Sequence, residues 1–223
     1  MIQSREENTE RVPMEQALRF GWEETKKNFW QLLGMLAIMY GVAIAHAILS
    51  NVFHDKMFAE LVLMIFYIAV MILLMGGLIN VALKIVRQEE FSFSDLFGMS
   101  RRILNLLAAL ILYGLAVGLG SLFLIVPGII LGIKLQYSPY FIVDKNMGPI
   151  EALKPSWSVT RDVKLKLFLF WLLCGFVHFI GMLALGVGVI PASMVTMIAN
   201  TFVYMRLVET ASNDNPHLSN TQI

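Results

Sequence analysis

Long apolar runs alternate along the chain with short polar connections, and run length is the first thing that sorts them. A bilayer core is about 30 Å thick, so a crossing helix needs ~20 mostly apolar residues. Residues 30–50, 61–84, 103–126, 167–186 and 189–207 meet that requirement. One further run, 128–143, has only 16 residues and contains Lys134, Gln136 and Pro139. It reads as a span that thins the bilayer or as a broken helix. The pattern predicts an all-α, polytopic helical membrane protein. Its expected architecture is six transmembrane helices, paired as three hairpins, with short cytoplasmic interfacial helices.

Two of the predicted outer connections are short and uncharged. Val126-Pro127-Gly128 joins the third and fourth segments, and residues 186–191 join the fifth and sixth. Proline suits a helix start, because the donor it lacks has no intrahelical partner there.

Each predicted hairpin follows an amphipathic stretch. Residues 14–28 place Leu18, Trp22 and Phe29 on one helical face. Residues 91–99 are shorter, and Ser92 or Ser94 can cap a turn there. Residues 149–160 place Ile150, Leu153 and Trp157 on one face. Basic ends and aromatic anchors suit helices lying among lipid headgroups. Packing beneath the bundle is the other reading of the same pattern.

The first and third stretches repeat one another. Ala17-Leu18-Arg19 with Trp22, Thr25 and Lys26 matches Ala152-Leu153-Lys154 with Trp157, Thr160 and Arg161, at a constant separation of 135 residues. A repeated unit of interfacial helix plus hairpin follows, with a middle copy whose leading helix is degenerate. Each unit holds two crossings, so the repeats run parallel in the membrane.

Charge fixes the expected orientation. The chain is 57% hydrophobic and only 15% charged, against roughly 25% in an average soluble domain. Its net charge of +1 gives no field that would hold nucleic acid. With six crossings and both termini cytoplasmic, all but Lys56 and Lys134 of the 17 Lys and Arg residues lie inside. That asymmetry is the one the positive-inside rule describes. It includes Arg5, Arg11 and Arg101 as well as Lys84, Arg87, Arg102 and the cluster from Lys145 to Lys166. No apolar run follows a basic start before residue 29, so the first long helix is the expected insertion signal. The expected location is the bacterial inner membrane. The expected domains are a cytoplasmic segment with an amphipathic helix (1–28), the six-helix membrane domain (29–208) and a flexible cytoplasmic tail (209–223).

The central half of the chain carries a family pattern. Phe93-Ser94-Asp95-Leu96-Phe97 is followed by Ile125-Val126-Pro127-Gly128, then Pro139-Tyr140 and Val143-Asp144, then Gly148-Pro149-Ile150-Glu151-Ala152-Leu153 and Trp157. This resembles a broad, poorly characterised group of bacterial multi-pass membrane proteins. The group includes the membrane domain fused to some glycerophosphoryl diester phosphodiesterases. The resemblance implies a helical membrane domain without an established activity. Phosphodiesterase chemistry belongs to a separate soluble domain for which this chain has no room.

No constellation of acid, base, nucleophile or metal ligands appears, so the chain reads as a non-enzyme without cofactor or metal. The lone Cys174 lies in an apolar run and excludes a disulfide framework. His46 and His178 are the histidines within spans. Metal ligand, proton carrier and helix–helix hydrogen bonding are open to each, and the last is the simplest. Lys134 is the informative residue, because a lysine at mid-helix costs about 2.5 to 3.5 kcal/mol to insert. Gln136, Tyr137 and Tyr140 follow it closely, and Asn80 and Asn200 sit in the inner halves of other spans. Two arrangements are open. These residues converge on a headgroup-sized cavity facing the cytoplasm, or Lys134 snorkels to the outer surface. Interfacial contacts are expected from Trp22, Lys26, Trp157, Arg161 and Lys164. The expected partners are membrane lipids or a protein on the cytoplasmic side, and not nucleic acid. The alternative function is a transporter or channel for a small anion or amphiphile, with Lys134 in its path.

Overall fold

The structure, a computed structural model, describes residues 12–53, 55–99, 102–183 and 186–214. Arg5, Arg11, His54, Arg101 and His217 lie outside the described residues. Among the described residues every regular element is helical. In chain order these are α1 (Met14–Lys27), α2 (Phe29–Phe53), α3 (Met57–Val86), a 3-10 turn (Phe93–Leu96), α4 (Ile103–Phe123), α5 (Ile125–Leu135), α6 (Ser138–Lys145), α7 (Pro149–Val159), α8 (Lys164–Leu183) and α9 (Val189–Asp214).

Five segments are long and apolar enough to cross a membrane: Phe29–Phe53, Met57–Val86, Ile103–Leu122, Val126–Lys145 and Lys164–Leu183. The sixth expected span lies within α9, which is not among them. Its polar content explains the shortfall. Ser193, Thr196, Asn200 and Thr201 each return a side-chain donor to the carbonyl four residues earlier, at 2.6–3.0 Å. Met194, Ile198, Ala199, Val203, Tyr204 and Leu207 are buried. Helix α9 is wrapped by α1, α3 and α8, so protein and not lipid sets its composition. It continues to Asp214, beyond the expected domain end at residue 208.

Two expected boundaries move. The short fourth run is a broken helix, parted at Gln136–Tyr137 into α5 and α6. The connection expected at Val126–Gly128 falls instead at Leu124, which is extended (φ −164°, ψ 146°). Val126, Pro127 and Gly128 form the first turn of α5. Pro127 sits among the N-terminal positions whose donors have no intrahelical partner. The helices pass closely there: a Cβ on Gly128 would lie 2.0 Å from Ser121 Oγ.

Neighbouring helices pack in pairs: α2 with α3, α4 with α5, and α8 with α9. The leading elements pack differently. The 3-10 turn sits on α3, α7 sits on α5 and α6, and α1 sits on α9. Each therefore rests on the second helix of another pair, and the three contacts close a ring. Helices α3, α6 and α9 are tied at one end by a buried carboxylate. The Asp144 side chain is 2% exposed, ion-paired with Arg87 and hydrogen-bonded by Tyr204 Oη at 3.0 Å.

The leading helices dock through their small residues. Ala17, Gly21 and Thr25 of α1 are buried, as are Ala152, Ser156 and Thr160 at α7. Of the larger residues picked out by the sequence pattern, the tryptophans turn outward, Trp22 52% and Trp157 41% exposed, whereas Leu18 and Phe29 pack against the core.

Candidate functional site

Helix α5 ends at Leu135, and the last carbonyls of a helix have no intrahelical donor. Side chains supply what the backbone does not. Ser138 Oγ donates to the Leu135 carbonyl at 2.8 Å. Ser156 Oγ of α7 donates to the Lys134 carbonyl at 2.8 Å. Thr160 Oγ1 lies 2.8 Å from the Ser156 carbonyl and 3.3 Å from that of Lys134. The break in the fourth span thus becomes the seat for α7.

That seat fixes the direction of Lys134. Its Nζ lies 3.2 Å from the centroid of the Trp157 ring. An ammonium over an indole face is held by the ring quadrupole, more strongly where water is excluded, and Lys134 is buried. The amine therefore points to α7 and not to the far end of its own helix. Lys164 and Arg161 act on its charge. Among the described residues, none of these three cations has an ion pair, and neither does Asp162 beside Arg161. The arrangement is an open cationic corner with an indole as its wall.

The other sequence-predicted residues have different surroundings. Tyr137 and Tyr140 join Tyr204 in an aromatic cluster, with ring centroids 5.1–5.8 Å apart. The buried Tyr137 hydroxyl has no partner among the described residues. Gln136 lines a cavity of about 220 Å³ with Tyr113, Ser121 and Trp171. Asn200 lines a groove of about 540 Å³ between α8 and α9 with His178. Asn80 is half-buried on α3. Trp22 holds Lys26 at 5.6 Å from its ring. Thus Lys134, Trp157, Arg161 and Lys164 come together, whereas Gln136, Asn200, Asn80 and the tyrosines do not join them.

Sequence reasoning missed Ser156 and the Asp144 tie, and named Thr160 only as a member of the repeat. Two signals carried them. Ala152, Ser156 and Thr160 recur every four residues, the spacing of one helical stripe. Asp144 closes the shortest span, opposite arginines expected at the same membrane face.

Outside the spans, burial alone would lift the Asp95 carboxyl, but it is held below its usual range. The Lys84 ammonium at 2.7 Å and the Ser92 N–H at 2.8 Å outweigh burial. Among the described residues no group of three or more His, Cys, Asp or Glu side chains is arranged to hold a metal.

No family model matches the chain, and no solved structure does. It is 34% identical over 86 residues to UPF0259 membrane proteins of Yersinia pestis (strain Pestoides F) and Yersinia pseudotuberculosis (serotype O:3, strain YPIII). The match covers 38% of this chain and 34% of each relative, so the chain spans about a third of their length. These relatives and the apolar helices together make the chain a multi-pass integral membrane protein, similar over part of its length to a bacterial membrane family.

Proposed function

We propose that this is a non-enzymatic protein of the bacterial inner membrane that binds the phosphate headgroup of anionic lipid at its cytoplasmic face. In this reading six helices cross as three hairpins and both termini are cytoplasmic. The corner formed by Lys134, Trp157, Arg161 and Lys164 receives the phosphate. One observation carries the proposal: Lys134 lies over Trp157 within electrostatic reach of Arg161 and Lys164, and among the described residues none of the three cations has an ion pair. A buried cation left without a counter-charge is expensive. A lipid phosphate is the anion present at a membrane surface, and it accepts charge-assisted hydrogen bonds from Lys and Arg together. Trp157, partly exposed beside it, suits the headgroup level.

The test is native mass spectrometry of the protein extracted from its own membrane, wild type beside Lys134→Ala and Arg161→Glu. Wild type should retain an anionic phospholipid, and both variants should lose at least four-fifths of it. Equal retention in all three would defeat the headgroup reading. A protein that co-purifies through the same cations, with no lipid, would replace lipid with a partner. Orientation has its own test in a Cys174→Ser background. Cysteine at Ser158 should react with a membrane-impermeant maleimide only in inverted vesicles, and cysteine at Lys56 only in intact spheroplasts. Reversed labelling would overturn the proposed topology.

A further inference from the structure

The groove between α8 and α9 lies away from the cationic corner and carries different chemistry. It holds about 540 Å³ and is lined mainly by apolar side chains, among them Trp171, Leu172 and Phe179. Its polar members are Cys174, His178, Thr196 and Asn200. Each of the last three has already committed a donor within its own helix. His178 Nδ1 lies 2.9 Å from the Cys174 carbonyl. A carbonyl oxygen only accepts, so the ring carries a proton on Nδ1, and the neutral ring then keeps its lone pair on Nε2. Thr196 Oγ1 donates to the Ala192 carbonyl at 2.8 Å. Asn200 Nδ2 donates to the Thr196 carbonyl at 3.0 Å. Asn200 Oδ1 accepts nothing among the described residues.

The groove thus offers two open acceptors, His178 Nε2 and Asn200 Oδ1, beside the second Nδ2–H of Asn200. Helix α8 is one of the five apolar segments long enough to cross a membrane, so the groove faces hydrocarbon. An acceptor left unpaired in hydrocarbon costs several kcal/mol. Acyl chains and ester carbonyls cannot relieve that cost, because neither donates. An anionic headgroup would add like-signed lone pairs. A cation would find no carboxylate lining the groove. What remains is a neutral apolar molecule with a hydroxyl.

We infer that the groove binds a neutral, hydroxyl-bearing lipid, whose O–H donates to His178 Nε2 or Asn200 Oδ1 while its chain lies along Trp171, Leu172 and Phe179. The volume is in the range of small-ligand pockets. The inference does not depend on the headgroup corner.

The experiment uses the full chain in phosphatidylcholine vesicles with two photoreactive probes. One is a diazirine-bearing diacylglycerol. The other is the same molecule with its hydroxyl methylated. The hydroxyl probe should label the peptide spanning residues 171–179 at least fivefold more than its ether. His178→Phe and Asn200→Leu should each reduce that preference, and the double variant should erase it. Both substitutions place apolar side chains toward lipid, so the variants should elute and melt like wild type. Equal labelling by the two wild-type probes overturns the proposal without any variant. A preference that survives the double variant also overturns it, by placing the hydroxyl elsewhere.

Discussion

The seat of α1 on α9 and the seat of α7 on α5 use the same residue types at the same spacing, yet they end in opposite electrostatic states. Both helices dock through a small stripe, Ala17-Gly21-Thr25 in one and Ala152-Ser156-Thr160 in the other. Both press the middle residue of that stripe on a carbonyl. Gly21 has no side chain, and a Cβ there would lie 2.5 Å from Val195 O. Ser156 reaches Lys134 O with its hydroxyl at 2.8 Å. Val195 is therefore the counterpart of Lys134. Helix α1 closes its charges internally: Arg19 pairs with Glu23 at 3.2 Å, and Lys27 with the buried Glu24 at 2.6 Å. The matching positions on the α7 side are Lys154, Ser158, Val159 and Asp162, and no ion pair forms among them. Shape docks these helices, and charge is left free to differ. One copy pairs its charges within itself, and the other leaves them unpaired among the described residues.

The comparison breaks hardest where the two seats share support. Asp144 ties α6, which carries α7, to α9, which carries α1, through Arg87 and Tyr204. Removing one partner of a buried ion pair costs about 3 kcal/mol or more. Asp144→Ala should lower stability by about that much and speed amide hydrogen exchange in both α1 and α7. Faster exchange in only one of them would show that the seats are independent.

The next effect separates the seats. Gly21→Ala forces a methyl against a backbone carbonyl, and overpacking of this kind costs about 2 kcal/mol. Ser156→Gly deletes one hydrogen bond, worth about 1 kcal/mol. Thermal unfolding in one detergent should rank Gly21→Ala as the more damaging. The reverse order would mean that α1 is not held by its close approach to Val195.

Most of the architecture was legible in hydropathy. Five apolar runs matched to bilayer thickness appear as long helices, because each must satisfy its backbone within itself. The run containing α9 is less apolar because protein surrounds it, which no hydropathy window can see. The repeat was legible from Ala17, Trp22, Thr25 and Lys26 against Ala152, Trp157, Thr160 and Arg161. That Ala and Thr mark the docking stripe was not, because its middle residues, Gly21 and Ser156, differ and small residues carry little hydrophobic signal although they permit the closest approach. Lys134 stood out by its cost in a membrane. Its partner did not, because the contact with Trp157 depends on where the fourth helix breaks.

A finer difference lies at the last residue of each stripe. The Thr25 hydroxyl is buried with no partner among the described residues, whereas that of Thr160 bonds the Ser156 carbonyl. Thr25→Val removes an unsatisfied group and should leave stability unchanged or raise it. Thr160→Val removes a bond and should cost about 1 kcal/mol. Equal losses would mean that the two stripes are seated alike.

The smallest effect tests the third leading element, the 3-10 turn on α3. Its link is the Lys84–Asp95 pair at 2.7 Å, with Asp95 also accepting the Ser92 N–H. These contacts hold the Asp95 carboxyl below its usual range although burial opposes them. A carboxyl depressed in the folded state stabilises above its unfolded value. That contribution is lost as pH falls through the still lower folded value, so the window lies below about pH 4. A partly exposed pair of this kind is worth about 0.5 kcal/mol. Unfolding at pH 7 and pH 3 should show Asp95→Asn less stable than wild type at the higher pH and level with it at the lower. No difference at either pH would trace the turn's hold on α3 to packing at Gly77, where a Cβ would lie 2.0 Å from Leu96 O. Shape would then seat all three leading elements, with charge only trimming the result.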